Sequence, residues 1–289
     1  MKKPVVLSVY INAKKKNAGE VLDRLLIIGR KYNIRFLLLD SAVKGTRFSG
    51  LGVPAGKFIR ECRYVIVIGG DGTFIMASHY FMDMSVPLLG INIGYFGFLT
   101  EVEENESEIE ENIRNIIYNK IKIEERMVLK GELVRKGRVL KTFRALNEVV
   151  INHGSFTKII KIRAYVNDQY IGTFAGDGVM VSTPTGSTGY SLSASGPIVN
   201  PHMDVFIFNT ICPHTLTFRP LVISSDSCVV LENIHDQNNV ILSFDGFKGI
   251  KLKKGDKIVI RRSKRRLKLI TSPDRNFYDI LREKFKWVE

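Results

Sequence analysis

The stretch Tyr64–Tyr80, YVIVIGGDGTFIMASHY, decides how the rest of the chain is read. Five apolar, partly β-branched residues from Tyr64 to Ile68 predict a strand buried on both faces, and the apolar spacing from Thr73 onward predicts a helix. Between them lie Gly69, Gly70, Asp71 and Gly72. A glycine-rich turn from strand into helix points backbone N–H groups outward at the positive end of the helix dipole, an arrangement suited to phosphate. Neither common phosphate loop is present: the GK[ST] ending is missing, and the glycine spacing is not G-x-G-x-x-G. A carboxylate, Asp71, stands where the lysine would be. Beside bound phosphates it is repelled unless a divalent cation bridges the two, or unless it takes the proton of a hydroxyl attacking phosphorus. Both roles belong to phosphoryl transfer. An ordinary tight turn is the alternative, since Gly and Asp are the commonest turn residues.

Around this stretch the first hundred residues alternate. Pro4–Tyr10 reads as a strand, Ala18–Lys31 as a helix, Arg35–Leu39 as a strand, Thr73–Phe81 as a helix and Pro87–Asn92 as another strand. That order predicts a parallel sheet with helices on its faces, whose ligands bind at the carboxyl ends of the strands. Gly69–Asp71 sits at such an end. The segment GTRFSGLGVPAG (45–56) reads as a mobile loop. A second glycine-rich turn, Gly94–Phe98, follows the strand at 87–92 and is placed to face the first. Ser107 and Glu110 have the spacing of a capping box opening a helix through about Asn119. From Met127 onward come short β-like runs punctuated by Lys136-Gly137, Asn167-Asp168, Asp245-Gly246 and Lys254-Gly255, the pattern of an antiparallel sandwich. The expected division is therefore an α/β domain over 1–100 and an all-β domain over 101–274. An amphipathic helix near Phe277–Lys286, within 275–289, is expected to pack back on the first domain.

With 289 residues, 45% of them hydrophobic and 25% charged, the chain has ordinary globular composition and room for two packed domains. The opening MKKPVVLSVYINAKKK lacks the small-residue cleavage site of a signal peptide, and no apolar run reaches the length of a bilayer span. Three cysteines, Cys62, Cys212 and Cys228, are odd in number and widely spaced, which fits a reducing compartment, and cytoplasmic localisation is expected. No histidine pattern for zinc is present. The net charge of +14 calls for an anionic partner, and Lys248–Lys268 holds eleven Lys or Arg against one acid, Asp256. No aromatic residue interleaves that run, and KIVIRRSKRRLKLI reads as the solvent side and turn of a hairpin. A small polyanion is expected rather than nucleic acid.

A second constellation lies downstream. STPTGSTGYSLSAS, from Ser182 to Ser195, carries nine hydroxyl side chains in fourteen positions. Buried hydroxyls need partners, so the block suits a sugar and phosphate ligand, with loop capping as the equal alternative. Asn147 and Glu148 supply donors and acceptors that match ribose hydroxyls or an adenine edge.

Together these pieces resemble the NAD kinase family, whose members phosphorylate the 2′-hydroxyl of the adenosine ribose of NAD with ATP or polyphosphate. The resemblance rests on GGDGTF (Gly69–Phe74), NIGYFGFLT (Asn92–Thr100), LNEVV (Leu146–Val150), GDG (Gly176–Gly178), STPTGSTGYSLSASGP (Ser182–Pro197) and PHTLTFRPLV (Pro213–Val222), in the family's order. It implies a Rossmann-like first domain and a β-rich second domain holding most NAD contacts. It also implies a divalent cation, Mg²⁺ being the one expected, and a homo-oligomer, tetramer or dimer. By position, Asp71 would accept the proton, with Gly72 beside phosphate. Asn147, Glu148 and Asp177 would hold NAD, and Thr188, Gly189, Tyr190, Ser191, Leu192 and Ser193 would wrap it. Lys158 stands where relatives carry a basic residue and joins the site; His79 is read as packed. The rivals are a lipid kinase sharing GGDGT, disfavoured by the polar hydroxyl block and the lack of an exposed anchoring helix, and a basic nucleic-acid-binding protein.

Overall fold

The computed structural model describes residues 4–12, 16–94, 97–154, 159–215, 217–236, 239–247, 249–272 and 275–287. The chain forms two compact units, one of residues 1–125 with 267–289 and the other of 126–266.

The first unit is built on a seven-stranded sheet. Its order is Gly52–Val53, Ile34–Leu39, Val5–Ile11, Val65–Ile68, Pro87–Ile91, Leu267–Thr271 and Lys122–Arg126. The first six run parallel to their neighbours. Every side chain of VIVI at 65–68 is buried, as a strand covered on both faces requires. On one face Val21, Leu25 and Ile28 of helix Lys16–Tyr32 share a core with Ile109, Ile113 and Ile116 of helix Glu106–Ile117. On the other, Phe58 and Phe81 are buried with ring centroids 5.9 Å apart, and the hydroxyl of Ser8 donates to the carbonyl of Phe58. The strand order reverses direction between Val5–Ile11 and Val65–Ile68, and the carboxyl ends at such a reversal are where open α/β sheets place ligands. Asp71 opens the helix Asp71–Ser78 just beyond that point.

The second unit is a sandwich of two six-stranded antiparallel sheets. Its core joins Leu133, Ile162, Leu231 and Ile260 of one sheet to Val149, Ile151, Val181 and Phe208 of the other. Glu148–His153 runs down the middle of the second sheet, between Gly178–Ser182 and Val240–Phe244. Lys136-Gly137, Asn167-Asp168 and Asp245-Gly246 each hold positive φ at both residues or their equivalents in the left-handed region, the geometry that closes tight hairpins.

Several expectations are corrected. The segment 45–56 is ordered rather than a plain loop: Phe48 is buried, Gly52–Val53 pairs with Leu38–Leu39 at the sheet edge, and helix Ala55–Arg60 begins inside it. These pieces are too short to show a period. The cap of the helix Glu106–Ile117 is Asn105, whose side chain accepts from the N–H of Glu108 at 2.8 Å, two residues ahead of Ser107. The first unit extends to 125 rather than 100, because that helix and the strand Lys122–Arg126 complete its core and sheet. The expected hairpin does not form. Lys257–Arg262 pairs within the sandwich, whereas Leu267–Thr271 lies parallel to Pro87–Ile91. Leu269 and Ile270, adjacent in sequence and both buried, fit a strand covered on both faces.

Leu269 is 1% exposed in a strand that fills an interior place in the first sheet. Leu269→Ala is expected to destabilise the fold by about 2–5 kcal/mol. Urea unfolding followed by circular dichroism checks this, as a lower midpoint at unchanged slope.

Candidate functional site

Gly69 must lack a side chain because a Cβ there would lie 2.5 Å from Thr73 at the strand-to-helix turn. At Gly70 and Gly72 a Cβ would meet nothing within 4 Å among the described residues, so the amino end of the helix is uncrowded at both positions. The Asp71 carboxylate turns toward the second glycine-rich segment. Its Oδ2 accepts from the N–H of Phe98 at 2.8 Å, and its Oδ1 from the N–H of Leu99 at 3.0 Å and the hydroxyl of Thr100 at 3.2 Å. The two turns therefore do meet. A Cβ at Gly97 would fall 2.0 Å from that Oδ1, so only glycine admits the contact. A carboxylate has about four acceptor positions. The bonds seen among the described residues use three and leave one, on Oδ2, for a hydroxyl or a cation.

The remaining candidates lie in the second unit. Asn147 and Glu148 begin the central strand of the sheet, level with Ser182 on its neighbour. The Asp245 carboxylate accepts from the N–H groups of Leu146, Asn147 and Glu148 at 2.7, 2.8 and 3.2 Å, fixing that strand start. Sequence reasoning took Asp245 only as a turn residue; the signal available was an acid placed directly after a strand.

The hydroxyl block divides into two sets. Thr183 donates to the Leu146 carbonyl and accepts from the N–H of Gly186, Ser187 both accepts from and donates to the backbone of Val199, and Thr188 donates to the Thr185 carbonyl. These shape the loop. Ser182 Oγ, Thr185 Oγ1 and Ser191 Oγ, like Asn147 Oδ1 and Glu148 Oε2, are buried and have no hydrogen-bond partner among the described residues. A buried polar atom without a partner costs about 1–3 kcal/mol, and a group of them marks a place where a ligand supplies the missing bonds. The loop-capping reading thus holds for Thr183, Ser187 and Thr188, while Ser182, Thr185 and Ser191 keep hydroxyls that the loop does not use.

Gly186 and Gly189 let this loop approach: a Cβ at Gly186 would sit 2.2 Å from the Asn147 carbonyl, and one at Gly189 would sit 3.2 Å from Asn147 Nδ2. Ala194, after the turn Tyr190–Ser193, packs on Val150, Met180 and Ile211, the sheet face away from the sandwich core. Tyr190 and Ser193 are exposed, and Leu192 is half-buried. Burial and the nearby Cys212, Asp177 and Glu148 push the Tyr190 phenol up, which places the ring within electrostatic reach of both acids. Asp177 lies at the opposite end of the strand from Glu148, with Oδ1 3.5 Å from His153 Nε2. From Glu148 to His153 the strand runs about 17 Å, at ~3.3 Å per residue. Polar groups thus stand at the two ends of the strand, Glu148 at one and His153 with Asp177 at the other, with the apolar Val149, Val150 and Ile151 between them. Asp71 and Gly72 belong to the first unit, and Lys158 lies outside the described residues.

Glu148 is 7% exposed. Burial, helped by the charge of Asp245, raises its carboxyl from 4.5 to about 8. Below 4.5 the group is neutral in folded and unfolded chains alike. As pH rises toward 8 the unfolded chain releases a proton that the folded one keeps, so stability falls through that window and levels off above it. Glu148→Gln is neutral throughout. Its melting temperature is expected to decline less between pH 5 and 8 than that of the unaltered protein, and parallel melting curves would count against a neutral Glu148.

The family model of the ATP-NAD kinase N-terminal domain matches residues 53–121, and that of the ATP-NAD kinase C-terminal domain matches residues 146–272. The chain is 36% identical over 273 residues to the NAD kinase of Natranaerobius thermophilus, covering 94% of this chain and 95% of the other. It is 43% identical over 225 residues to that of Magnetococcus marinus, covering 78% and 74%. Its fold is similar to that of yeast NADH kinase complexed with NADH, with a TM-score of 0.88 at 20% identity over 99% of this chain and 89% of the other. An NAD kinase from Archaeoglobus fulgidus in complex with ATP gives a TM-score of 0.76 at 20% identity, over 99% and 100%.

Proposed function

The chain belongs to the ATP-NAD kinase family, and from that premise we propose which residues carry its reaction. The family's reaction is the transfer of a phosphoryl group from ATP or polyphosphate to the 2′-hydroxyl of the adenosine ribose of NAD, giving NADP. The observation that carries the assignment is Asp71: a carboxylate at the carboxyl end of a parallel strand, held by two N–H groups and a hydroxyl, with one acceptor position left.

Asp71 accepts the proton of the ribose hydroxyl as its oxygen bonds to the phosphorus and the bond from phosphorus to the leaving phosphate breaks. The N–H groups at the start of the helix Asp71–Ser78, beside Gly72, face the donor phosphates. Asn147 and Glu148 hold the adenosine, the latter as a neutral acid able to donate as well as accept. Asp177 and the turn from Thr188 through Gly189, Tyr190, Ser191 and Leu192 to Ser193 hold the rest of the dinucleotide, with Ser191 Oγ and Glu148 Oε2 gaining partners from it.

A divalent cation, Mg²⁺, would supply charge neutralisation at the donor phosphates, keeping waters among its ligands. Among the described residues no three His, Cys, Asp or Glu side chains converge as a metal group, and the single open position on Asp71 is assigned to the ribose hydroxyl.

The basic run does not favour nucleic acid. Arg262 is paired with Asp204 at 2.9 Å and Asp226 at 2.7 Å, Arg266 also reaches Asp204, and the run is divided among three sheets. Among the described residues no helix is long and apolar enough to cross a membrane. The three free cysteines support a cytoplasmic setting. A homo-oligomer, tetramer or dimer, is supported by edge strands that expose apolar side chains, Val139 and Leu140 on one sheet and Leu221 and Val222 on the other. Light scattering on the purified protein is expected to give a mass above that of one chain.

Asp71→Asn tests the central assignment, since Asn keeps one acceptor and the turn. It is expected to fold, to bind NAD within a few-fold, and to lose about 10²–10⁴ in kcat for NADP formation. Partial rescue by excess Mn²⁺ would move Asp71 from base to metal ligand, and near-normal turnover would remove it from the mechanism.

A further inference from the structure

The hydrogen bonds that aim Asp71 come from a short segment whose later residues are held by the sheet, Leu99 and Thr100 being buried and Thr100 accepting from Asn92 at 3.0 Å. The residue before the first donor is Gly97, the most permissive backbone unit, and it has to be glycine because of Asp71 itself. The direction of the Phe98 N–H therefore depends on Leu99 on one side and on the contacts of the Phe98 ring on the other. The Phe98 ring sits between two rings of the helix Phe277–Phe285, its centroid 6.3 Å from that of Phe277 and 6.3 Å from that of Phe285. The Lys284 ammonium lies over the same ring, 5.1 Å from its centre.

That helix is itself anchored. Asn276 and Asp279 form a reciprocal cap, Ile280 and Leu281 are buried, and Trp287 stacks on Phe285 at 5.6 Å. The chain leading into it is tied to the residues that follow the Asp71-holding segment: Ser272 N–H donates to Glu101 at 3.1 Å, and Arg275 pairs with Glu103 at 3.0 Å. Two tethers and two rings thus converge on 98–103, all within the first unit.

We propose that Phe277 and Phe285 are positioning residues for the phosphoryl transfer, holding Phe98 so that its N–H and that of Leu99 fix the Asp71 carboxylate. This rests on Asp71 being the proton acceptor. The helix reaches Asp71 through one peptide group, so loosening the rings moves the carboxylate without touching the residues assigned to NAD. Displacing a reacting group by about 1 Å can cost on the order of 100-fold in rate.

The test measures NADP formation by Phe277→Ala, Phe285→Ala and, from the other side of the contact, Phe98→Ala, with Phe285→Tyr as the conservative variant and Glu283→Ala, exposed on the same helix, as control. The alanine variants are expected to lose about tenfold or more in kcat with KM for NAD within about twofold. Phe285→Tyr should restore most of the rate, and Phe98→Ala combined with Phe285→Ala should lose little more than either alone. In an Asp71→Asn background Phe285→Ala is expected to cost nothing further. Should one alanine variant fail to fold, Phe98→Ala and Phe285→Ala probe the same contact from opposite sides. Normal kcat in folded alanine variants overturns the proposal while a dead Asp71→Asn keeps the base assignment. An equal loss with and without Asp71 overturns it too, and an active Asp71→Asn removes the premise instead.

Discussion

Each of the two units holds its candidate residues by one kind of interaction, a carboxylate gripped by consecutive main-chain N–H groups. Asp71 takes those of Phe98 and Leu99, and Asp245 takes those of Leu146, Asn147 and Glu148. Hydrogen bonds to an ionised acceptor are roughly twice as strong as neutral ones, and two or three in a row fix orientation as well as distance. The purposes differ. At Asp245 the acid serves the backbone, locking the strand start from which Asn147 and Glu148 project. At Asp71 the backbone serves the acid, because what matters there is where the carboxylate points.

The cost of this arrangement is visible in the second unit. Burial of the Glu148 carboxyl, with the charge of Asp245 as a smaller contribution, disfavours its ionised form and raises its pKa to about 8. The unpartnered oxygens of Ser182, Thr185 and Ser191 lie in the same loop system. Such a sheet face is less stable than an apolar one would be, and any ligand that completed its hydrogen bonds would return that stability on binding. Readiness for ligand and stability without ligand are set by the same atoms.

How much was legible in the sequence follows from what each signal encodes. VIVI followed by GGDG specified a two-face-buried strand and a turn, because burial and the need for glycine are local properties. Asp245-Gly246 announced a hairpin turn for the same reason. Partnership is not local. Leu267–Thr271 was readable as a strand, but nothing in LKLIT says that its neighbour is Pro87–Ile91 rather than Lys257–Arg262. Asn105 was passed over for Ser107 because both are good caps and the choice depends on which carbonyl closes the first turn. The hydroxyl block announced polarity without saying which oxygens would be spent on the loop and which left for a ligand. The roles of Asp245 and Phe98 were invisible for the same reason, since each acts on a residue dozens of positions away.

The interior place of Leu267–Thr271 in the first sheet has a consequence for biosynthesis. During translation the strands up to Pro87–Ile91 emerge first, but the strand that belongs beside Pro87–Ile91 follows only after the entire 126–266 unit. At ribosomal rates of about 5–20 residues per second that interval is roughly 10–30 s. Throughout it residues 87–89 form an edge of the nascent sheet without the neighbour they pair with, while the sandwich, whose strands are contiguous in sequence, is free to form. The enclosed unit is thus expected to mature before the one that encloses it, and holdase chaperones have a defined substrate: the bare edge of Pro87–Ile91.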